Sequence, residues 1–183
     1  IPYQKEDENE KIILLTSIGK VVKYSTNEIS IYAGTAKGTK STNLSEKDKE
    51  TILKSFIFVE TSKSVLIGVS DIGKAKKTLT SKISDKKRTN SPNLFFNNDE
   101  QNGNLVSGEV FDEEEKEILM LLTEKADVSL IKISGFNPVT RTAKGSIILL
   151  KMEKGEKIKT CKKIPIEALT ETQKSILVEN IEE

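Results

Sequence analysis

The chain of 183 residues contains no histidine and no tryptophan, and it has a single cysteine. Without histidine, imidazole acid–base catalysis, histidine metal sites and Ser-His or Cys-His pairs are excluded. One cysteine excludes an internal disulfide framework and fits a reducing cytosol. Cys161 lies in a predicted strand flanked by lysines, where a small core or edge residue is expected rather than a nucleophile. No arrangement of carboxylates or hydroxyls indicates an enzyme, so we predict no catalytic residue, no metal site and no cofactor.

Long apolar runs are also missing. The longest span four to six residues, whereas about 20 are needed to cross a bilayer. The first ten residues, IPYQKEDENE, lack the apolar core of a signal peptide. We therefore expect no membrane partner and a cytoplasmic location. With 31% charged and 36% apolar residues, the composition is that of an ordinary folded domain or a short repeat array.

Two markers recur along the chain with one spacing. The first is an apolar strand followed by a turn, and the second is a short loop of the type Arg-Thr-Ala-Lys-Gly. The apolar strands are Ile12–Gly19, Val65–Gly73 and Ile118–Ala126, and the loops are Gly34–Gly38, Arg88–Pro92 and Arg141–Gly145. The loops start 54 and 53 residues apart. A period of about 50 residues with four short strand-like runs is typical of a propeller-type array, although loops rich in Thr, Lys and Gly also recur by chance.

The repeats predict an all-β domain of about three four-stranded blades. Its boundaries are a connector over 1–10, repeats over 11–63, 64–116 and 117–166, and a tail over 167–183. Gly19 suits a tight turn because glycine accepts positive φ without steric cost, and Gly73 takes the same place in the second repeat. In the tail, residues Thr170–Ile181 carry a Thr-x-x-Gln cap and apolar residues at 176, 177 and 181, which predicts a short C-terminal helix.

Charge is distributed unevenly although the net charge is only +1. Residues 11–91 hold 16 Lys/Arg and 7 Asp/Glu, a balance of +9, whereas residues 92–183 hold 12 and 17, a balance of −5. The densest basic stretch has seven Lys/Arg in the fifteen residues 74–88, opposed there by Asp85 alone. Such a stretch is either a solvated face or a surface for a polyanion. The acidic run Asp112–Glu115 is interpreted as a solvated loop, because consecutive carboxylates do not converge on one ion.

The quoted motifs resemble those of a known family. Residues Ile12–Thr16 and Gly19–Lys23 match the apolar strand and Gly-Lys strand that open each repeat of the C-terminal DNA-wrapping domain of bacterial type IIA topoisomerase A subunits, that is, gyrase and topoisomerase IV. Gly73–Lys77 matches in part. The later signature of that repeat is matched by Arg141–Gly145 and by Lys154–Lys157. The resemblance covers residues 11–164.

This resemblance implies a β-pinwheel, a propeller-like array whose neighbouring blades exchange strands. It implies a non-catalytic domain of an ATP-dependent topoisomerase that binds and bends duplex DNA on a basic rim and guides it for strand passage. The implied partners are double-stranded DNA, the rest of the A subunit and its ATPase subunit, with a nucleoid-associated location and a role in chromosome segregation. Gyrase's hallmark loop, Gln-Arg-Arg-Gly-Gly-Lys-Gly, has no match, and the nearest loop is Tyr32–Gly38. The resemblance therefore favours a topoisomerase IV type.

Lysine predominates among the basic residues, and this predicts weak sequence preference because base-reading side chains are mostly Arg, Asn and Gln. The predicted DNA-binding residues are Lys20, Lys23, Lys37, Lys40, Lys74, Lys76, Lys77, Lys86, Lys87 and Arg88, with Lys132, Arg141 and Lys144 as an extension onto the acidic half. A rival hypothesis is a propeller-like protein-interaction module that docks a chromosome-organising or replication partner through its acidic third repeat.

Overall fold

The computed structural model describes residues 9–30, 34, 37–112, 116–135, 137–143, 147–148 and 153–179. These residues form eleven strands and one α-helix. The strands are β1 Glu10–Thr16, β2 Lys20–Ser25, β3 Ile52–Val59, β4 Val65–Ser70, β5 Lys74–Leu79, β6 Asn93–Leu94, β7 Leu105–Phe111, β8 Glu117–Thr123, β9 Val128–Lys132, β10 Ile147–Ile148 and β11 Ile158–Pro165, and the helix is α1 Glu171–Glu179. No helix in the described part of the chain is long and apolar enough to span a membrane.

The strands form three small antiparallel sheets, which we call blades 1, 2 and 3. Blade 1 has the order β3-β1-β2-β6, blade 2 the order β10-β5-β4-β7, and blade 3 the order β11-β8-β9. The all-β array of about three blades is thus confirmed. Blades 1 and 2 have four strands, and blade 3 has three within the described residues.

Neighbouring blades exchange a strand. β6 follows β5 in the chain but pairs with β2, Lys20 opposite Leu94 and Val21 opposite Asn93. β10 follows β9 but pairs with β5, Ile147 opposite Ala75. Each exchanged strand therefore joins the preceding blade, and it becomes the outer strand there. Of the apolar stretch 147–150 in the third repeat, the structure describes Ile147–Ile148, which is β10.

One hairpin turn is repeated in all three blades. The amides of Gly19, Gly73 and Ala126 donate to the carbonyls of Thr16, Ser70 and Thr123 at 3.1, 3.2 and 3.2 Å. The hydroxyls of the same three residues accept from the next amides, those of Lys20, Lys74 and Asp127. The backbone is left-handed at all three turns, with φ of 75° and 77° at the glycines and 70° at Ala126. The turn persists in blade 3 although the glycine does not.

Two buried layers lie in the junctions between blades, and smaller buried clusters lie on the opposite faces of blades 1 and 3. Ile13, Leu66 and Phe95 lie buried between blades 1 and 2, and Ile67, Leu119 and Cys161 lie buried between blades 2 and 3. β4 therefore has both faces covered, and its continuous apolar run is explained by this. Cys161 is a core residue, as expected, and burial raises the pKa of its thiol to about 11, so it is inert as a nucleophile at neutral pH.

Helix α1 covers the far face of blade 3. Its Leu177 is buried with Ile118 and Leu169, and Leu130 packs against this cluster. The Thr-x-x-Gln cap is confirmed, since the Gln173 amide donates to Thr170 Oγ1 at 3.3 Å and the Thr170 amide donates to Gln173 Oε1 at 2.9 Å. The described helix, Glu171–Glu179, lies within the expected Thr170–Ile181, and residues 180–183 lie outside the described part.

Candidate nucleic-acid interface

Three outer loops, one from each repeat, lie side by side. We call residues 37–43, 86–94 and 139–143 together the outer rim. Loop 37–43 contacts loop 86–94 through the Thr42 hydroxyl, which donates to the Asn90 carbonyl at 2.8 Å. It also contacts that loop through the side-chain amide of Asn43, which donates to the Thr89 carbonyl. Loop 139–143 contacts loop 86–94 through Arg141, whose guanidinium donates to the Leu94 carbonyl. The rim is therefore continuous across the three repeats.

The rim is basic throughout. Its three segments read KGTKSTN, KKRTNSPNL and VTRTA, with six Lys/Arg and no Asp or Glu. Lys37, Lys40 and Lys87 are exposed, and Lys86, Arg88 and Arg141 are partly buried. An unopposed row of cations on adjacent loops suits a polyanion whose charges also come in a row.

The partly buried rim cations are oriented by uncharged oxygens. Lys86 Nζ donates to the Ser91 carbonyl at 2.8 Å and to Asn93 Oδ1 at 2.7 Å. Arg88 Nε donates to the Glu28 carbonyl at 3.3 Å. Neutral acceptors leave the positive charge uncompensated, so these side chains are fixed while their charge still acts on the surroundings.

Two further predicted residues lie on the second strands, near the hairpin turns. Lys20 and Lys74 are partly buried at equivalent positions, and Lys74 Nζ donates to the Gln101 carbonyl at 2.5 Å. Lys132 ends β9 and is partly buried. The rim does not include these three residues. Lys144 lies outside the described residues.

Three of the predicted DNA-binding lysines, Lys23, Lys76 and Lys77, are corrected from rim to interior. Their exposed fractions are 3%, 4% and 3%. The physical reason is what covers each strand face. Lys23 lies on the face of β2 that packs against blade 2, where it reaches the Thr80 carbonyl. On β5 the neighbouring residues Lys76 and Lys77 point to opposite faces, and both faces are covered. A lysine run on a doubly covered strand is not a solvated face.

Two of these lysines tie blades together at equivalent positions. Lys23 Nζ donates to the Thr80 carbonyl at 3.0 Å, and Lys77 Nζ donates to the Ile133 carbonyl at 2.9 Å. Lys23 also lies 2.6 Å from Glu60 Oε1 and 3.0 Å from Asp85 Oδ1. Burial raises the pKa of the Asp85 carboxyl, but hydrogen bonds from Lys11 and Lys23 outweigh burial and hold the pKa below its ordinary value. Both lysines link one blade to the next.

Sequence reasoning missed the residues that join the loops. Thr42 and Asn43 lie in a Ser/Thr/Asn cluster that indicates a loop and nothing more. The sequence does contain one indication that Lys76 lies in the interior. Aligning the two Gly-Lys strands puts Lys76 at the place of Val22, an apolar residue that is itself 1% exposed.

Two further features lie away from the rim, the distribution of acidic side chains and a surface cavity. The described residues contain no group of three or more His, Cys, Asp or Glu close enough to hold a metal ion. A cavity of about 650 Å³ lies between β3 and β7, lined by Phe56, Ile57, Glu109 and Lys163 among others. Its carboxylate and ammonium groups have partners nearby, since Glu109 pairs with Lys54 and Lys163 Nζ lies 3.1 Å from Glu117 Oε1.

The fold and the rim define a class of protein, the strand-exchanged all-β blade array with a basic outer edge. The model of the family described as "DNA gyrase C-terminal domain, beta-propeller" matches residues 10–49, 65–91 and 117–165. The chain belongs to this family. No curated protein sequence matches it.

Three solved structures are similar. The C-terminal domain of DNA topoisomerase IV has a TM-score of 0.75 and 20% identity, and covers 97% of this chain and 53% of its own. The gyrase A C-terminal domain has a TM-score of 0.72 and 19% identity, and covers 87% and 52%. The E. coli ParC C-terminal domain has a TM-score of 0.58 and 14% identity, and covers 92% and 73%. The chain thus spans about half the length of the first two domains.

Proposed function

We propose that this chain is a non-catalytic DNA-binding and DNA-bending domain of a type IIA topoisomerase A subunit, and that the outer rim is its contact surface for duplex DNA. The observation that carries the proposal is the continuous rim of six basic and no acidic residues on three adjoining loops. Membership of the gyrase C-terminal domain family supports the same assignment.

Binding of duplex DNA to the rim requires only the spacing of the rim loops and their positive charge. Cations on successive loops neutralise successive phosphates and release counterions, so affinity falls with salt with a slope of about −0.9 per phosphate contacted. Because the rim loops belong to successive blades, DNA that follows them has to curve. Bending 20–30 base pairs costs of order 1–6 kcal/mol, which the added contacts offset.

The finer assignment follows from sequence. The missing gyrase loop supports a topoisomerase IV type, with the rest of the A subunit and the ATPase subunit as partners, a nucleoid-associated cytoplasmic location and a role in chromosome segregation. The rim basic residues act on backbone phosphates, so sequence preference is weak. The duplex is handed on to a part of the parent enzyme that cleaves and passes it.

The test is a charge reversal at the exposed rim with a matched control. Among the described residues, the side chains of Lys37, Lys40 and Lys87 hold no hydrogen bond that positions the rim, so the rim variant changes these three residues to Glu. The control changes exposed Lys154, Lys159 and Lys162 to Glu, on β11 and the turn before it, and alters net charge equally. Binding to a 40-base-pair duplex is followed by fluorescence anisotropy across a salt series, and bending by energy transfer between the duplex ends.

We expect the rim variant to flatten the slope of log K against log[salt] by about 3 units and to abolish bending, while the control keeps both. Equal loss in both variants would show that overall charge, and not the rim, attracts DNA. No binding by the unaltered protein at low salt would overturn the proposal in favour of a protein-docking module.

A further inference from the structure

Lys76 is a buried lysine that holds a loop from another blade. It lies on β5 of blade 2 and is 4% exposed. Its Nζ donates to the carbonyl of Arg141 at 2.7 Å and to the carbonyl of Ala143 at 2.6 Å. It also lies 5.8 Å from the centre of the Phe95 ring, within the range of a cation–π contact. An ammonium has three protons, and two of them are used to fix the loop.

The loop that Lys76 fixes connects the three blades at the rim. Residues 139–143 lie between β9 of blade 3 and β10, which joins blade 2. From this loop the Arg141 guanidinium reaches the Leu94 carbonyl of β6, which is the outer strand of blade 1. The contacts therefore run from Lys76 in blade 2 through Arg141 of the third repeat to Leu94 at the edge of blade 1.

The first junction has the same backbone anchor without this lysine. The Lys86 amide donates to the Lys23 carbonyl, and the equivalent Val139 amide donates to the Lys77 carbonyl, both at 2.8 Å. At the position of Lys76, however, blade 1 has Val22. Loop 86–94 is held by contacts from its own Lys86 and from loop 37–43 instead. Lys76 is thus an addition specific to the second junction.

We infer that Lys76 is a positioning residue for the rim, whose ammonium holds loop 139–143 against blade 2 and aligns Arg141 with the neighbouring loop, without itself contacting DNA. The role in aligning a DNA-binding surface rests on the proposed function. The fixing of the loop does not, and it is tested in the free protein.

The first experiment is amide hydrogen exchange on the DNA-free protein, comparing Lys76→Met with Lys20→Met. The two variants each remove one lysine from a Gly-Lys strand. We expect amide exchange at Val139 and Ala143 to rise about ten-fold or more in Lys76→Met. The reason is that the carbonyls of Arg141 and Ala143 lose the donor that holds the loop. The amides of Lys86 and Asn90, which donate to the Lys23 and Lys87 carbonyls, serve as an internal reference and should not change, and Lys20→Met should leave both loops unchanged. Unaltered exchange at Val139 and Ala143 in folded Lys76→Met would overturn the inference.

A second measurement needs no substitution. Amine-reactive labelling of the unaltered protein, with and without a 40-base-pair duplex, reports the exposure of each lysine. We expect Lys76 to be slow to label in both conditions, and Lys40 and Lys87 to be labelled readily unless DNA is bound. Rapid labelling of free Lys76, or protection of Lys76 that depends on DNA, would contradict a positioning role. If Lys40 and Lys87 gain no protection, the proposed function fails while the loop result stands.

Discussion

The two junctions between blades share one plan and differ at one strand position, where the first has Val22 and the second has Lys76. In each, a buried lysine at the same strand position, Lys23 or Lys77, donates to a carbonyl of the next blade. Lys23 also pairs with the carboxylates of Glu60 and Asp85. The second junction adds Lys76, bound to two loop carbonyls. A repeat array can therefore keep its backbone geometry while each junction is fixed by different side chains.

The largest effect is expected from breaking the first junction with Lys23→Met. This change removes the partner of Glu60, whose side chain is 15% exposed, and leaves the Thr80 carbonyl without its donor. We expect the free energy of unfolding to fall by about 3 kcal/mol, with little of it from Asp85, which is half exposed and stays hydrated. Urea denaturation measures the change. Lys20→Met is the control and should lie within about 0.5 kcal/mol of the unaltered protein; a similar value for Lys23→Met would show that the tie adds nothing.

The second junction is expected to differ in its response to pH. Burial, with repulsion from Arg141 as the smaller cause, lowers the pKa of Lys76 to about 8 from its ordinary 10.5. Between these values the unfolded chain binds a proton that the folded chain has released, so the free energy of unfolding rises with pH by up to about 1.4 kcal/mol per unit. The unfolding free energy of the unaltered protein minus that of Lys76→Met should therefore increase from pH 8 to pH 10. Denaturation of both at pH 7.5, 8.5 and 9.5 checks this, and a constant difference would mean that Lys76 titrates as a hydrated lysine.

The smallest effect concerns the hairpin turns. Ala126 has the left-handed backbone that Gly19 and Gly73 adopt in blades 1 and 2. Because a Cβ atom costs about 1–2 kcal/mol there and glycine loses about 0.5–1 kcal/mol in chain entropy, Ala126→Gly should stabilise the protein by roughly 0.5–1 kcal/mol. The converse change, Gly73→Ala, should destabilise it by a similar amount. Thermal unfolding of both variants measures the pair, and equal melting temperatures would show that the turns relax at no cost.

Several elements were predictable because their signals are local. The turn residues, the apolar strands that open the repeats and the capped C-terminal helix follow from glycine conformation, apolar patterning and a Thr-x-x-Gln cap. The repeat period placed the three loops in register, and the structure brings them together at one rim. The basic composition of that rim is likewise a property of the sequence.

The position of individual lysines was less predictable. Lys76 and Lys87 look alike in a basic stretch, yet one is buried and the other exposed. The difference arises because β5 is covered on both faces by neighbouring blades, while residue 87 lies in a loop. Burial of an ammonium is tolerated at Lys76 because carbonyls from a loop 65 and 67 residues away in sequence accept its hydrogen bonds.

The sequence by itself determined the repeat, the all-β class, the turns and the absence of histidine chemistry, since these depend on short segments and on composition. Only the tertiary structure decided which blade each exchanged strand joins, and which lysines tie blades and which remain on the rim. Those outcomes depend on contacts between residues far apart in the chain, and no local pattern specifies what covers the second face of a strand.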